Sequence, residues 1–159
     1  MKPIPDLKPG DCLHYGAHDL FGWTTAVKTW SWTVHVEIYH HEGFSVASRN
    51  GLGVNIYPTR LTGLCAITRP KFEPLDFVTA DSWFENVAKG QGYDWLGLLC
   101  FTLAVRHGSP TKMFCSEFAT RYYRKLGHHA VNPRWDADHT APAQLLQSAT
   151  STWIWTKWD

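Results

Sequence analysis

The sequence predicts an α+β domain in which helices pack against one antiparallel sheet of about four to six strands. Three observations carry this reading. Short segments with apolar residues in alternation fill the first half of the chain, whereas helical spacing dominates the second. Turn signals built on glycine separate the early segments at hairpin intervals. Strands in series followed by helices, without strict alternation of the two, argue for helices packed against one antiparallel sheet.

Taken in order, Leu7-Lys8-Pro9-Gly10-Asp11 reads as a turn into a short strand, Cys12-Leu13-His14-Tyr15. Asp19 through Trp30 has apolar residues at mixed spacing with Asp19 as a cap, which predicts a short helix. Val34-His35-Val36-Glu37-Ile38-Tyr39-His40 alternates strictly: Val34, Val36 and Ile38 should face a core, and His35, Glu37 and Tyr39 a polar side. Glu42-Gly43 turns into Phe44–Ser48, Asn50-Gly51-Leu52-Gly53 turns into Val54–Pro58, and Leu64–Thr68 follows before Arg69-Pro70 breaks the run. These segments form an antiparallel meander.

Beyond them, Ala80–Gly90 has a cap candidate near its start, helical spacing and a glycine stop. Tyr93–Val105 is apolar nearly all round and predicts a buried central helix. In the stretch after Pro110, Phe114, Phe118, Tyr122 and Leu126 recur at helical spacing, and Gly127 ends the run. Ala141–Gln147 predicts a short helix with proline in its first turn, and Thr152–Trp158 alternates like a closing strand.

With 159 residues, of which 44% are hydrophobic and 14% aromatic, the chain can bury one sizeable core and reads as a single domain spanning 1–159. A net charge of +1 gives no reason to expect nucleic acid or an anionic membrane as partner. Met1–Asp6 lacks the apolar run of a signal peptide, and no stretch reaches the roughly 18 apolar residues of a membrane span. The expectation is a protein that is cytoplasmic where it is made, or one that reaches a cell wall by a phage-type route. Cys12, Cys65, Cys100 and Cys115 form no C-x-x-C pair, so all four read as thiols. Cys65 and Cys100 sit in apolar runs as small buried hydrophobes.

Cys115 differs, because it falls in the first turn of its helix. Unpaired backbone N–H groups and the positive end of the helix dipole meet there and favour a thiolate. A free thiol is mostly protonated at neutral pH, so a nucleophilic cysteine needs an imidazole to take its proton and return it to the leaving group. His35, on the polar side of a well-defined strand, is the candidate base. Glu37 stands beside it on the same face and can orient the ring, with Ser45 and Ser48 on the next strand as competitors. A metal site drawn from His35, Glu37, His40 or His41 with Asp138-His139 and Cys115 is a weaker reading, since no H-E-x-x-H helix is present.

Six fragments in this order resemble the YiiX/LRAT-like, circularly permuted branch of the NlpC-like, papain-like cysteine hydrolases. They are Leu7–Asp11, His35–Tyr39, Gly51–Val54, Tyr93–Gly97, Phe114–Phe118 and Ala141–Leu146, and they span most of the chain. The resemblance implies a permuted papain-like fold with Cys115 as nucleophile and His35 as base. It also implies Tyr93 and Ser116 at the substrate or oxyanion position, with the Cys115 backbone N–H as one oxyanion donor. The third polar residue of many relatives falls on Ala47 here, which cannot orient an imidazole and turns attention to Glu37.

The activity so implied is acyl transfer through a thioester, on an amide of a cell-wall (peptidoglycan) peptide, with no cofactor. Lipid or ester acyl hydrolysis or transfer is the alternative on the same site, and a noncatalytic binding module with a decayed triad is another. Trp153, Trp155 and Trp158 are candidates for exposed stacking surfaces.

Overall fold

The structure, a computed structural model, describes residues 3–17, 26–27, 30–71, 74–103, 108–134 and 136–158. The helix expected over Asp19–Trp30 falls for the most part outside them. The expected α+β architecture is present. Strands β1 (Cys12–Gly16), β2 (Thr33–His41), β3 (Phe44–Arg49), β4 (Gly53–Pro58) and β5 (Leu64–Pro70) follow one another, and the C-terminal strand β8 (Ser151–Thr156) completes a six-stranded sheet. Its order is β4-β3-β2-β1-β5-β8, with every pairing antiparallel. A separate parallel pair joins β6 (Gly92–Tyr93) to β7 (Lys112–Met113).

Strands β2, β3 and β4 follow one another through short turns. At the β2–β3 turn both Glu42 and Gly43 have positive φ, at 43° and 85°, as a two-residue turn matched to strand twist requires. The β2–β3 ladder itself is short. It pairs His41 with Phe44, Tyr39 with Ser45 and Ile38 with Val46, and goes no further, while β2 stays paired to β1 as far as Thr33. The two strands therefore part towards the start of β2.

Both faces of the sheet are covered. Cys12, Val36, Ile38, Val46 and Val54 pack under the helices, whereas Leu13, Tyr15, Ile67 and Trp155 form a second cluster on the opposite face. His35 and Glu37 belong to that second face, which is not the polar side expected from alternation. Trp155 is correspondingly buried, and only Trp153 and Trp158 of the C-terminal tryptophans are exposed.

Helix α1 (Phe77–Trp83) starts earlier than expected because Asp76 caps it, accepting the Thr79 N–H at 2.9 Å, and a π-helical turn over Phe84–Ala88 continues it. Helix α2 (Trp95–Thr102) is capped by Asp94, which accepts the Gly97 N–H at 2.7 Å. Contrary to expectation it is not a buried helix: Leu96 and Leu99 are each 54% exposed and Leu103, at its end, 64%. Cys100 on the same helix is half-buried. An all-round apolar sequence cannot say which side of a helix is covered, because it has no polar stripe to turn outward.

The long helix α3 (Cys115–Lys125) is the amphipathic one, burying Phe118, Ala119, Tyr122 and Tyr123. Phe118 meets Trp83 with ring centroids 6.1 Å apart, Phe84 at 6.2 Å and Tyr122 at 5.8 Å. Gly127, at φ 77°, ends it: its N–H reaches Arg124 O, and the His128 N–H reaches Tyr123 O at 2.8 Å. Helix α4 (Pro142–Leu146) opens with proline, and the Gln144 side chain accepts the Ala141 N–H at 2.6 Å.

Because Phe118 joins α1 and α3 over the sheet, Phe118→Ala should cost about 3–5 kcal/mol of unfolding free energy in urea titration. A loss below about 1 kcal/mol would show that this junction is not part of the core.

Candidate active site

The nucleophile's position follows from its helix. Phe114 is the N-cap, with extended backbone at φ −90° and ψ 170°, so Cys115 is the first helical residue, where backbone N–H groups point outward. The approach is fixed on both sides. Met113 is held in β7, paired with Tyr93, and the Ser48 hydroxyl donates to Met113 O at 2.5 Å.

Cys115 enters the gap where β2 and β3 part. Its Sγ lies 4.0 Å from Val34 O, against the edge of β2 that has no ladder partner on the β3 side. Here the Cys115 thiol and the His35 imidazole come close enough for each to shift the other's proton affinity. His35 Nε2 is 3.1 Å from Glu37 Oε1, which leaves Nδ1 as the nitrogen that serves the thiol.

Glu37 is fully buried and fully engaged. Arg49 grips it with two prongs, Nε to Oε1 at 2.9 Å and Nη2 to Oε2 at 2.8 Å, and Arg60 Nη2 adds a bond to Oε1 at 3.0 Å. Tyr15 closes the group, its ring 5.7 Å from that of His35 and its hydroxyl donating to Arg60 O at 2.9 Å.

The electrostatics agree with this geometry. Burial alone would raise the Cys115 thiol, but the His35 charge, its hydrogen bond, and the backbone N–H groups of Val36 and Ser116 hold it below its ordinary range. Burial alone would discharge His35; Cys115 and then Glu37 outweigh it, and the imidazole is raised above its ordinary value. Burial would likewise favour a protonated Glu37, yet bonds from His35 and Arg49 bring its pKa down to about 2. The shifts of Cys115 and His35 run in the directions that favour a thiolate facing an imidazolium, with Glu37 as the carboxylate behind them.

The structure thus brings Cys115, His35 and Glu37 together. Ser45 and Ser48 are engaged elsewhere: Ser45 Oγ is 2.7 Å from Thr59 Oγ1, and Ser48 holds the Met113 carbonyl. Tyr93 runs beside Met113, two residues before the nucleophile, and its ring meets Trp95 at 5.1 Å. The Ser116 hydroxyl donates to Thr140 O at 2.6 Å, so any part Ser116 takes at the oxyanion position falls to its backbone N–H. His40 lies apart, bonded to Asp81 at 2.9 Å, and His139 is bonded to Asp138 at 2.9 Å. Arg49, Arg60 and Tyr15 went unmarked by sequence reasoning. One signal was available for Arg49, which stands two residues beyond Ala47 and so on the same face of its strand.

Glu37 sets an acid limit on stability. Its folded pKa is depressed, so its contribution is whole above the ordinary carboxylate value of 4.5 and disappears as pH falls through about 2. The stability difference between wild type and Glu37→Gln, from urea titrations at stepped pH, should be largest above about pH 5 and shrink steadily below about pH 4. A difference that ignores pH would contradict an ionised Glu37.

No protein-family model matches the chain, and no curated protein matches it. Among solved structures, metalloprotein yiiX from Escherichia coli O157:H7 superposes with a TM-score of 0.70, covering 96% of this chain and 98% of that one at 13% identity. At that identity the likeness is one of fold, and the chain has a YiiX-like α+β fold.

Proposed function

We propose that the protein is a cysteine-nucleophile hydrolase of the permuted papain-like type, acting by acyl transfer on an amide bond in a cell-wall peptide. The observation that carries this reading is the line Cys115–His35–Glu37, with the thiol at a helix start and the ring's far nitrogen bound to a buried carboxylate.

The chemistry these groups support is balanced. The Cys115 thiolate adds to the carbonyl carbon, and the oxyanion is met by backbone N–H groups at the start of α3. His35, holding a proton on Nδ1, gives it to the leaving nitrogen as the C–N bond breaks and the thioester forms. Water then attacks the thioester while Nδ1 takes its proton; the acid leaves and the thiolate–imidazolium pair returns.

One observation favours a second substrate class on the same site. Trp95, Leu96, Leu99 and Leu103 lie open on and beside α2, whose Phe101 meets Phe114 with ring centroids 6.2 Å apart. An open apolar surface on a helix that reaches Phe114, the residue before the nucleophile, suits an acyl chain, and so an ester or lipid acyl hydrolase or acyltransferase. No helix among the described residues is long and apolar enough to cross a membrane.

The fold neighbour's description as a metalloprotein raises the question of a metal. The Cys115 site does not fit one, because Glu37's oxygens are filled by guanidinium donors and His35 Nε2 by Glu37. Asp136, Asp138 and His139 bring one ligand atom each within 4.8 Å of one another, but none of them belongs to the Cys–His pair.

The test is the pH dependence of Cys115 alkylation by iodoacetamide, in protein with Cys12, Cys65 and Cys100 replaced by serine. Fast labelling well below the ordinary thiol range of about 8.5, lost in His35→Ala, is the expected result. Incubation with wall peptides and with acyl esters, read by mass spectrometry for an adduct on Cys115, then separates the two substrate classes. Slow labelling that ignores His35 would overturn the enzyme reading in favour of a binding module.

A further inference from the structure

Where relatives of the kind described above carry a third polar residue on the strand after the histidine, this chain has Ala47, which is buried and can make no side-chain hydrogen bond. The histidine is served instead by Glu37, its neighbour on the same strand. A glutamate so placed has a difficulty: it is buried, and a buried carboxylate without partners takes up a proton. Protonated, it could offer O–H to Nε2 and leave the ring's proton on Nδ1, the wrong nitrogen for a base that must receive from Cys115.

The two arginines remove that difficulty. Arg49 occupies both oxygens of Glu37, and Arg60 takes a further site on Oε1, so the carboxylate has only acceptor capacity left for His35. Nε2 must then be the donor and Nδ1 the base. Arg49 is itself fixed, because Nη2 also donates to Pro58 O at 2.9 Å and the guanidinium lies 4.4 Å from the centroid of the Tyr57 ring. It also reaches from β3 to β2 across the stretch where the ladder between them is missing, and so ties the two walls of the gap that admits Cys115. Arg60 comes from the loop between β4 and β5 and lies over Tyr15 at 5.0 Å, the same tyrosine whose ring meets His35. His35, Glu37, Arg60 and Tyr15 form a closed ring of contacts.

We propose that Arg49 and Arg60 are positioning residues for the Cys115–His35 pair, substituting through Glu37 for the missing third residue on β3. Arg49 holds the carboxylate's geometry. Arg60, about half exposed, supplies a positive charge that offsets the second negative charge placed beside the imidazole. This inference rests on the Cys–His reading given above.

Among the described residues, the ionisable groups around the pair and its carboxylate are Tyr15 and Cys12 on β1, Glu37 on β2, Arg49 on β3, Tyr57 on β4, which meets Arg49 and Glu37, and Arg60 on the following loop. Of these only the two arginines are cations. Removing one makes the surroundings more negative, which weakens the thiolate and strengthens the imidazolium, so both limbs of a pH profile move to higher pH.

Alkylation of Cys115 across pH, in the background lacking the other cysteines, tests this without any substrate. Arg60→Gln should move the acid limb up by roughly 0.5–1 pH unit, and Arg60→Lys, which keeps the charge, should restore it. Arg49→Lys keeps a buried cation but loses the two-pronged grip, and should lower the plateau rate several-fold with the limbs in place. Thermal melts establish that each variant is folded; should Arg60→Gln fail to fold, Arg49→Lys decides. A profile and plateau unchanged in these variants, with wild type still activated and dependent on His35, would overturn the inference alone. A wild type without His35-dependent activation would overturn the enzyme reading beneath it.

Discussion

The site depends on one interruption in the sheet. Had β2 and β3 stayed paired to their ends, the edge of β2 around Val34 and Val36 would be spent on ladder bonds, and no side chain could reach it. Their separation beyond Ile38–Val46 leaves backbone groups free to meet Cys115 and lets the start of α3 enter the sheet. Strands left unpaired in this way lose several hydrogen bonds, each worth about 1 kcal/mol net. The contacts that span the opening take their place: Ser48 to Met113 O from one side, Arg49 to Glu37 from the other.

That opening also explains the charge arrangement. Burying an isolated carboxylate or imidazolium is costly, and burying them as a connected series costs less, since each charge is another's hydrogen-bond partner. Cys115, His35 and Glu37 alternate in sign from the helix start, and two cations, Arg49 and Arg60, both bound to Glu37, close the series towards the protein's outside. The path ends at Arg60, which is about half exposed, so the excess positive charge meets water and not the core. Tyr15 supplies the apolar wall, shielding one side of the imidazole.

Much of this was legible in the sequence, and the reasons for what was not are physical. Strict alternation marked β2, helical spacing with Gly127 marked α3, and the order of His35 and Cys115 marked their pairing. Alternation could not say that the His35 face would also be covered, because burial of that face depends on Leu13, Tyr15, Ile67 and Trp155 arriving from three other strands. The exposure of α2 was hidden for the opposite reason: a helix apolar on every side carries no record of which side is packed. Arg49 and Arg60 were missed because a charged residue on a strand or loop ordinarily means solvent. Only the burial of Glu37 gives them a different task.

We propose that His35 is an imidazolium made so by Cys115, with its Nε2 proton held by Glu37. Nuclear magnetic resonance of the imidazole nitrogens in isotope-labelled histidine, with His35 assigned by its absence from His35→Ala, reports both points directly. At neutral pH two protonated ring nitrogens are expected in wild type; in Cys115→Ala the ring should lose a proton at lower pH and, once neutral, keep the remaining one on Nε2. A neutral ring in wild type with its proton on Nδ1, or a ring state indifferent to removal of the thiol, would contradict it.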